Sequence, residues 1–475
     1  MRQQAVLGIE TMRNPGLTLI NTSTPDAQTA FSTPAPTPPQ NLAVTGVIGN
    51  VYPNTYFHPA VADFNNDGWL DVFNPRLGTG CFTSCNTTDY LLTNNAVGGL
   101  IVNELTTLPV DPSLVAVPAD FDGDGDKDVV IGNYVDNFIT KCGQPDVVYL
   151  NDGSGVFAVA ANLGDSEASS DAEAADLNGD GRPDIVVGNG TTQSTCGTNT
   201  LRIYRNLPSS LLPVAAAPIT GTGTIVKNSP VQFSDVTAAS LPQGTFAASS
   251  VELIDIDGDN DVDMITSLFP AVAGGNCTMQ VFKNNGLGVF TSQANAIPQS
   301  VLTAHACHKL KAVDLDNDGD KDLVFTNTST NTLYNGLTFL RNNGSGVFSA
   351  LTVNIVATNY TGGIALPGAA TLDVEAADVN NDGKQDLFVV LAAASTVFPA
   401  LGTQFVLVNS ISGGTPNTWY FGLLTSLGAL WNGLTNTTAG TIVQLADFNN
   451  DGKPDVLLNK RSNTTGQDTA LFYHL

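Results

Sequence analysis

The sequence predicts an all-β protein, a seven-bladed β-propeller of four-stranded antiparallel blades. Three observations predict it: a nine-residue acidic motif that recurs seven times, short β-branched runs on both sides of the copies, and a second turn signature further along the clearest units. Repeated units of four short strands, none able to bury its faces alone, stack radially into such a ring.

The motif is Asp-x-Asp/Asn-x-Asp-Gly-x-x-Asp. It occupies 63–71 (DFNNDGWLD), 120–128 (DFDGDGDKD), 176–184 (DLNGDGRPD), 255–263 (DIDGDNDVD), 314–322 (DLDNDGDKD), 378–386 (DVNNDGKQD) and 447–455 (DFNNDGKPD), with start-to-start spacings of 57, 56, 79, 59, 64 and 69 residues. These windows hold 27 of the 44 acidic side chains, so the formal charge of −26 is concentrated in them rather than spread as a solvating coat.

The spacing has a chemical reason. Oxygen-bearing side chains at positions 1, 3 and 5 point into the concave side of a tight turn: Asp63, Asn65 and Asp67; Asp120, Asp122 and Asp124; Asp176, Asn178 and Asp180; Asp255, Asp257 and Asp259; Asp314, Asp316 and Asp318; Asp378, Asn380 and Asp382; Asp447, Asn449 and Asp451. The backbone carbonyl of position 7 (Trp69, Asp126, Arg182, Asp261, Asp320, Lys384, Lys453) and the carboxylate of position 9 (Asp71, Asp128, Asp184, Asp263, Asp322, Asp386, Asp455) complete an all-oxygen shell. That shell suits Ca²⁺; Mg²⁺ resists dehydration and seldom uses such cages. Up to seven structural calcium ions are expected, which would bring the net charge from −26 to about −12. Gly at position 6 permits the sharp bend, and Asn260, its replacement in the fourth copy, is the next best residue for a left-handed backbone.

The flanks are strands, not helices. DVVIGN (128–133), DIVVGN (184–189), DLVFTN (322–327), DLFVV (386–390) and DVLLN (455–459) follow the loops, and short apolar stretches such as 117–119, 251–254 and 443–446 precede them, so each loop is the turn of a hairpin. VVYLNDGSGVF (147–157), MQVFKNNGLGVF (279–290) and LTFLRNNGSGVF (337–348) then supply a third strand, an Asn-rich glycine turn and a short fourth strand, with weaker versions such as LLTNNAVGGL (91–100) and LRIYRNLPS (201–209) elsewhere. Phe157, Phe290 and Phe348 are expected to pack between adjacent blades. The last unit ends after its third strand, near 470–474, and counting back from Asp63 points to 41–48 as the strand that closes the ring.

These residues resemble the FG-GAP and VCBS repeats of integrin α-subunit propellers and many bacterial extracellular proteins. The resemblance covers 41–475 and implies a calcium loop between the first two strands of each blade; it implies no single activity. Residues 1–40 lie outside the repeat, as an arm and a Pro-rich spacer (STPAPTPPQ, 32–40) that is either a tail or a strand added to a neighbouring subunit. The wide gap between the third and fourth copies is read as an elongated loop over 207–249.

Other features bound the function. Net negative charge disfavours nucleic acid and anionic membrane as partners, and no apolar run reaches membrane-spanning length. The even cysteine count suits disulfides and an oxidising compartment; of the many connectivities open to it, Cys81–Cys85, Cys142–Cys196 and Cys277–Cys307 pair neighbours in the repeat. His305, Cys307 and His308 invite a transition-metal reading, but in a strand the two histidines face opposite sides. Trp69, and Trp419 and Trp431 in the seventh unit, would suit stacking on a sugar if exposed, as in fungal lectins with similar propellers, although core packing is the commoner fate of Trp. No nucleophile elbow, phosphate loop or zinc-peptidase signature occurs. The expectation is an extracellular or cell-surface, non-catalytic binding or adhesion module for a protein or glycan ligand. Its rivals are a structural subunit that contacts neighbouring subunits through the arm, and a secreted carbohydrate-active enzyme such as a polysaccharide lyase.

Overall fold

A computed structural model of the chain describes residues 42–43, 58–76, 88–96, 99–134, 143–164, 167–190, 200–208, 231–244, 246–268, 278–298, 307–327, 336–355, 364–365, 371–391, 403–411, 418–424, 426–431, 434–435, 440–461 and 467–475. Seven sheets follow one another in chain order. Blade one pairs Ala60–Ala62, Asp71–Asn74, Tyr90–Asn94 and Leu100–Glu104, and blade two pairs Ser113–Ala119, Asp128–Asn133, Val147–Asn151 and Phe157–Asn162. Blade three holds Ser169–Ala175, Asp184–Asn189, Arg202–Leu207 and Gln232–Asp235; blade four holds Ala248–Ile254, Asp263–Leu268, Thr278–Lys283 and Thr291–Ser292. Blade five holds Cys307–Val313, Asp322–Asn327, Gly336–Asn342 and Phe348–Ala350; blade six holds Thr371–Ala377, Asp386–Leu391, Gln404–Asn409 and Thr418–Leu424. Blade seven is Gly440–Ala446, Asp455–Arg461 and Gln467–Phe472, completed by Leu42–Ala43, which pairs antiparallel with Leu471 and Ala470 inside the stretch counted out for ring closure.

The first strand of each blade is innermost, since first strands of successive blades pack on one another. Second strands such as Asp128–Asn133 and Asp184–Asn189 are buried at every residue and read as nearly continuous apolar runs, whereas the outer Leu100–Glu104 exposes all but its first residue. Hydrophobic clusters sit between blades: Phe64, Phe73, Tyr149 and Phe157 join blades one and two, and equivalent clusters occupy each later interface, including Val61, Val72, Phe448 and Leu457 between blades seven and one. Phe157 meets the rings of Phe64 and Phe73 at 5.6 and 5.2 Å, and Phe290 and Phe348 are buried in the corresponding later clusters, as expected of inter-blade packing residues.

Two sequence readings need correction. The stretch 207–249 is not one long loop: Gln232–Asp235 is the outer strand of blade three and Thr237–Ser240 a single helical turn. The strand is polar and only partly buried, so it carries no alternation to betray it. The expected four-stranded blades are present throughout, and two short strands add to them: Ile364–Ala365 pairs with the third strand of blade five, and Thr352–Ile355 lies parallel against the outer strand of blade six. Trp419 belongs to that outer strand, not to the seventh unit, and both Trp419 and Trp431 are buried core residues, with Trp431 Nε1 donating to Pro454 O at 2.8 Å, so neither offers a stacking face. The arm at 1–40 and the cysteine pairings lie outside the described residues, Cys307 having only its backbone described, and the side chains of His305 and His308 likewise.

Candidate functional site

Each acidic loop is built the same way. Position 2 (Phe64, Phe121, Leu177, Ile256, Leu315, Val379, Phe448) is apolar and buried, which pins the turn to the inter-blade core and leaves positions 1, 3 and 5 to curl outward. Backbone N–H groups converge on the carboxylates. Those of positions 5 and 6 serve Asp63 at 3.1 and 2.8 Å, and the same pair serves Asp176, Asp378 and Asp447. Positions 4 and 6 serve Asp120 and Asp255, and Gly319 serves Asp314. In all seven loops the N–H of position 7 donates to the Asp of position 5 at 2.9–3.0 Å.

Two backbone positions are left-handed. Position 6 is expected to be so, and Asn260 adopts φ 71° in its glycine-less copy. Position 4 is equally left-handed, at φ 55–79° for Asn66, Gly123, Gly179, Gly258, Asn317, Asn381 and Asn450, and its restriction to Asn or Gly in every copy is the signal that reveals it. The position 4 amides also tie loop to loop: Asn66 Nδ2 donates to Asp126 Oδ1 at 2.7 Å, and Asn450 Nδ2 to Gly68 O at 2.9 Å across the seam.

The Asp of position 9 is the most buried member. One of its oxygens accepts the N–H of position 2 at 2.8–3.2 Å in six loops, and the other accepts an N–H from the end of the third strand at 2.6–3.0 Å in all seven. Burial nevertheless outweighs these donors and pushes the carboxyls up, to about 6 for Asp184 and Asp386, about 7 for Asp71, Asp128 and Asp263, and about 8 for Asp322 and Asp455. A bound divalent cation reverses that balance and holds them ionised.

The loops bring the carboxylates together unevenly. Asp120, Asp122 and Asp128 converge within 4.8 Å, as do Asp255, Asp257 and Asp259, and Asp314, Asp316 and Asp322; Asp124, Asp263 and Asp318 stand outside these groups. In the other four loops position 3 is an Asn, whose Oδ1 accepts the position 5 N–H at 2.9–3.0 Å. Side chains at position 7 take varied partners. Asp126, Asp261 and Asp320 lean on Gly153, Gly286 and Gly344 of their own blade's glycine turn, where an added Cβ would come within 2.4–2.7 Å of the carboxylate. Arg182 pairs with Asp180, Lys453 reaches Leu475 O, and Trp69 is half-buried.

The donor set fits a hard divalent cation. Asp122 Oδ2, Asp257 Oδ1, Asp314 Oδ1 and Asp316 Oδ1 are buried with no hydrogen-bond partner, in loops whose N–H donors are already committed. Orphaned carboxylate oxygens clustered at Ca²⁺ ligand spacing are what such an ion relieves.

Sequence reasoning missed two further constellations. The first is a latch between blades. The Asn that ends each third strand sends Nδ2 to the position 2 carbonyl of the preceding blade at 2.7–2.8 Å: Asn94 to Phe448, Asn151 to Phe64, Asn206 to Phe121, Asn284 to Leu177, Asn342 to Ile256 and Asn409 to Leu315. His474 takes the role in blade seven, with Nε2 3.0 Å from Val379 O, so this nitrogen carries the proton. The recurrent Asn before the glycine turn is the signal, read above only as turn chemistry. Asn151→Ala removes donors to Phe64 and Lys127 and the acceptor for Gly155 N, and is expected to cost about 2–4 kcal/mol in denaturant unfolding. Asn103→Ala, on the exposed outer strand, should stay within about 0.5 kcal/mol; equal losses for the two would sink the latch.

The second is a charged network on the inner strands. Lys309 Nζ of blade five reaches Asp171 Oδ2 of blade three at 3.4 Å, two blades away, and Lys311 Nζ pairs with Glu375 Oε2 of blade six at 2.7 Å. Asp171 also accepts from Ser250 Oγ and Val251 N, and Asp373 from Val443 N, each at 2.9–3.0 Å. Burial pushes Glu173 up to about 8, with Glu252 and Asp171 adding to it, and pushes Glu252 up to about 7 against Lys311. Burial and then Glu375 push Asp373 up to about 7, whereas Lys309 and His58 overcome burial and hold Asp171 low.

Outside the ring's loops and axis, a cavity of about 350 Å³ opens beside the helical turn of blade three; Arg202, the one cation lining it among the described residues, is held by Glu167 at 2.7 Å and Asp235 at 3.2 Å. No helix among the described residues is long and apolar enough to cross a membrane.

Two stretches of the chain, 120–187 and 314–389, match the model of the FG-GAP-like repeat; they contain loops two and three, and loops five and six. No curated protein matches the chain. Among solved structures it is similar to an Agrocybe aegerita lectin that recognises non-reducing terminal N-acetylglucosamine, at 18% identity over 76% of this chain and 79% of that one, with a TM-score of 0.44. It is similar also to BBS1N, solved in complex with ARL6DN, at 8% identity over 91% and 96% and a TM-score of 0.44. The V. cholerae biofilm matrix protein Bap1 matches at 10% identity over 91% and 90%, with a TM-score of 0.35.

Proposed function

We propose that this FG-GAP-repeat β-propeller is an extracellular, calcium-stabilised binding module that holds a protein or glycan ligand without transforming it. The observation that carries the reading is how the connections divide between the two faces of the ring. In an antiparallel blade the first-to-second and third-to-fourth turns share one face, and here, apart from the 208–231 connection of blade three, they are short and glycine-bearing, with bonds from blade to blade at Asn66 and Asn151. The second-to-third connections leave from the opposite face, and in blades one, two, three and six they are long: 75–89, 134–146, 190–201 and 392–403. Variable segments displayed on one face of a rigid scaffold are where recognition concentrates. The acidic loops supply rigidity, and millimolar calcium outside cells matches the ~10⁻⁴ to 10⁻³ M affinity of extracellular loops of this type.

The test is a glycan array alongside a panel of extracellular matrix proteins, probed with the calcium-loaded chain and with a variant in which 75–89 is replaced by a short Gly-Ser linker. Saturable binding that the replacement weakens at least tenfold supports the reading. Release of new sugar ends from a bound glycan would instead make the protein an enzyme. Particles that shrink on deletion of 1–40, without ligand binding, would make it an assembly subunit.

A further inference from the structure

The residue just before each latch Asn sits beside the acidic loop of its own blade, and its identity divides the ring. It is Thr93, Leu150, Val408 and Tyr473 in blades one, two, six and seven, but Arg205, Lys283 and Arg341 in the three consecutive blades between. Lys283 Nζ lies 2.6 Å from Asp257 Oδ2, at position 3 of loop four. Arg341 spans two candidate ligands of loop five, with Nη2 hydrogen-bonded to Asp318 Oδ2 at 2.8 Å and Nε in ion contact with Asp316 Oδ2 at 2.8 Å. The second oxygens of Asp257 and Asp316 are the orphaned, buried ones. Each tethered cation therefore holds the outer oxygen of a carboxylate whose inner oxygen faces the cage. Arg205 behaves differently and donates to Leu287 O of the next blade at 2.8 Å.

Loops two and five form an internal comparison. Both carry Asp at positions 1, 3, 5, 7 and 9 and Lys at position 8, and both converge three carboxylates from positions 1, 3 and 9. Apart from positions 2 and 4, which carry no ligand, they differ in having Leu150 or Arg341 alongside. An interaction that stabilises the metal-free loop more than the filled one lowers metal affinity by the same factor. A fixed positive charge within a few ångströms of an entering divalent ion adds repulsion of the same sign.

We infer that Lys283 and Arg341 are tethered counter-cations that make loops four and five the weak, exchangeable calcium sites of the ring, with loop two their tight counterpart. The inference rests on the calcium reading of the loops and deepens it. At calcium concentrations between the two classes the ring is partly filled, and blades four and five, adjacent to one another, respond while loop two stays loaded. The role belongs to positioning residues: neither cation is a ligand, and each acts through a carboxylate that is.

Calcium titration of the chelator-stripped full chain by calorimetry, with ion counts by native mass spectrometry, tests this. The wild type should fill in two classes, and Arg341→Gln and Lys283→Gln should each move one site to about tenfold tighter binding. Arg205→Gln should move none. Urea unfolding of the stripped variants confirms that they remain folded, and Arg341→Lys should retain part of the weakening, which loss of packing alone would not. Seven filled sites whose affinities stay within about twofold in both Gln variants overturn this inference alone. Absence of calcium binding by the wild type overturns the calcium reading and this inference with it.

Discussion

Stripping calcium from the folded ring is expected to lower its melting temperature by about 10 °C or more. A loop with an affinity of ~10⁻⁴ to 10⁻³ M contributes about 1.4–2.7 kcal/mol at about 10 mM calcium, because the ion binds the folded loop and not the open chain. Several filled loops together are comparable with the whole net stability of an ordinary domain. The metal-free loops suffer a second penalty, since the clustered carboxylates of 120–128, 255–263 and 314–322 then repel one another around orphaned oxygens. Differential scanning calorimetry in calcium and in excess chelator measures the difference. An unchanged transition, with no metal found by elemental analysis, would remove calcium from the account.

Raising the pH from 6 to 9 in saturating calcium is expected to destabilise the protein, and Glu252→Gln to blunt that loss. Glu173, Glu252 and Asp373 have folded-state values raised to about 8, 7 and 7 by burial on the inner strands. A group raised in this way favours folding while it is protonated. Its contribution is complete below the ordinary carboxylate range and is lost as the pH rises through the folded value. The slope is at most about 1.4 kcal/mol per pH unit for each proton involved. The raised carboxyls of position 9 would add a similar trend unless bound calcium kept them ionised, but they are common to both proteins, so the difference between wild type and variant isolates the axis. Identical pH slopes for the two would sink the proposal that Glu252 titrates there.

The repeat was legible because its chemistry is local. Asp63, Asp67 and Asp71 and their six counterparts must stand at fixed spacing to build one turn, and Phe157 must follow its glycine turn at a fixed distance to reach the blade before it. Counting those intervals was enough to find the closing strand, although Leu42–Ala43 pairs with residues more than four hundred positions away. What escaped is defined by partners on other blades. Lys309 and Lys311 alternate with apolar residues in HKLKAV, the pattern of a solvated strand face, and only ring closure turns that face toward Asp171 and Glu375. Asn151 looks like an ordinary turn residue until Phe64 O, eighty-seven positions earlier, is placed against it. Gln232–Asp235 has too little burial to leave a pattern at all.

The latches all point one way, each blade gripping the loop of the blade before it, and the seventh returns to the first through Asn94 and Phe448. A linear stack of repeats has outer members that fray and seed its unravelling. This circle has none, because the first and last described strands, Leu42–Ala43 and Gln467–Phe472, pair within blade seven and every blade is held on two sides. No blade can leave without opening two interfaces at once, and the first such opening gains little chain freedom until a second follows. The lifetime of the folded ring is therefore governed by the rarity of that first breach, a matter of kinetic persistence rather than of equilibrium balance.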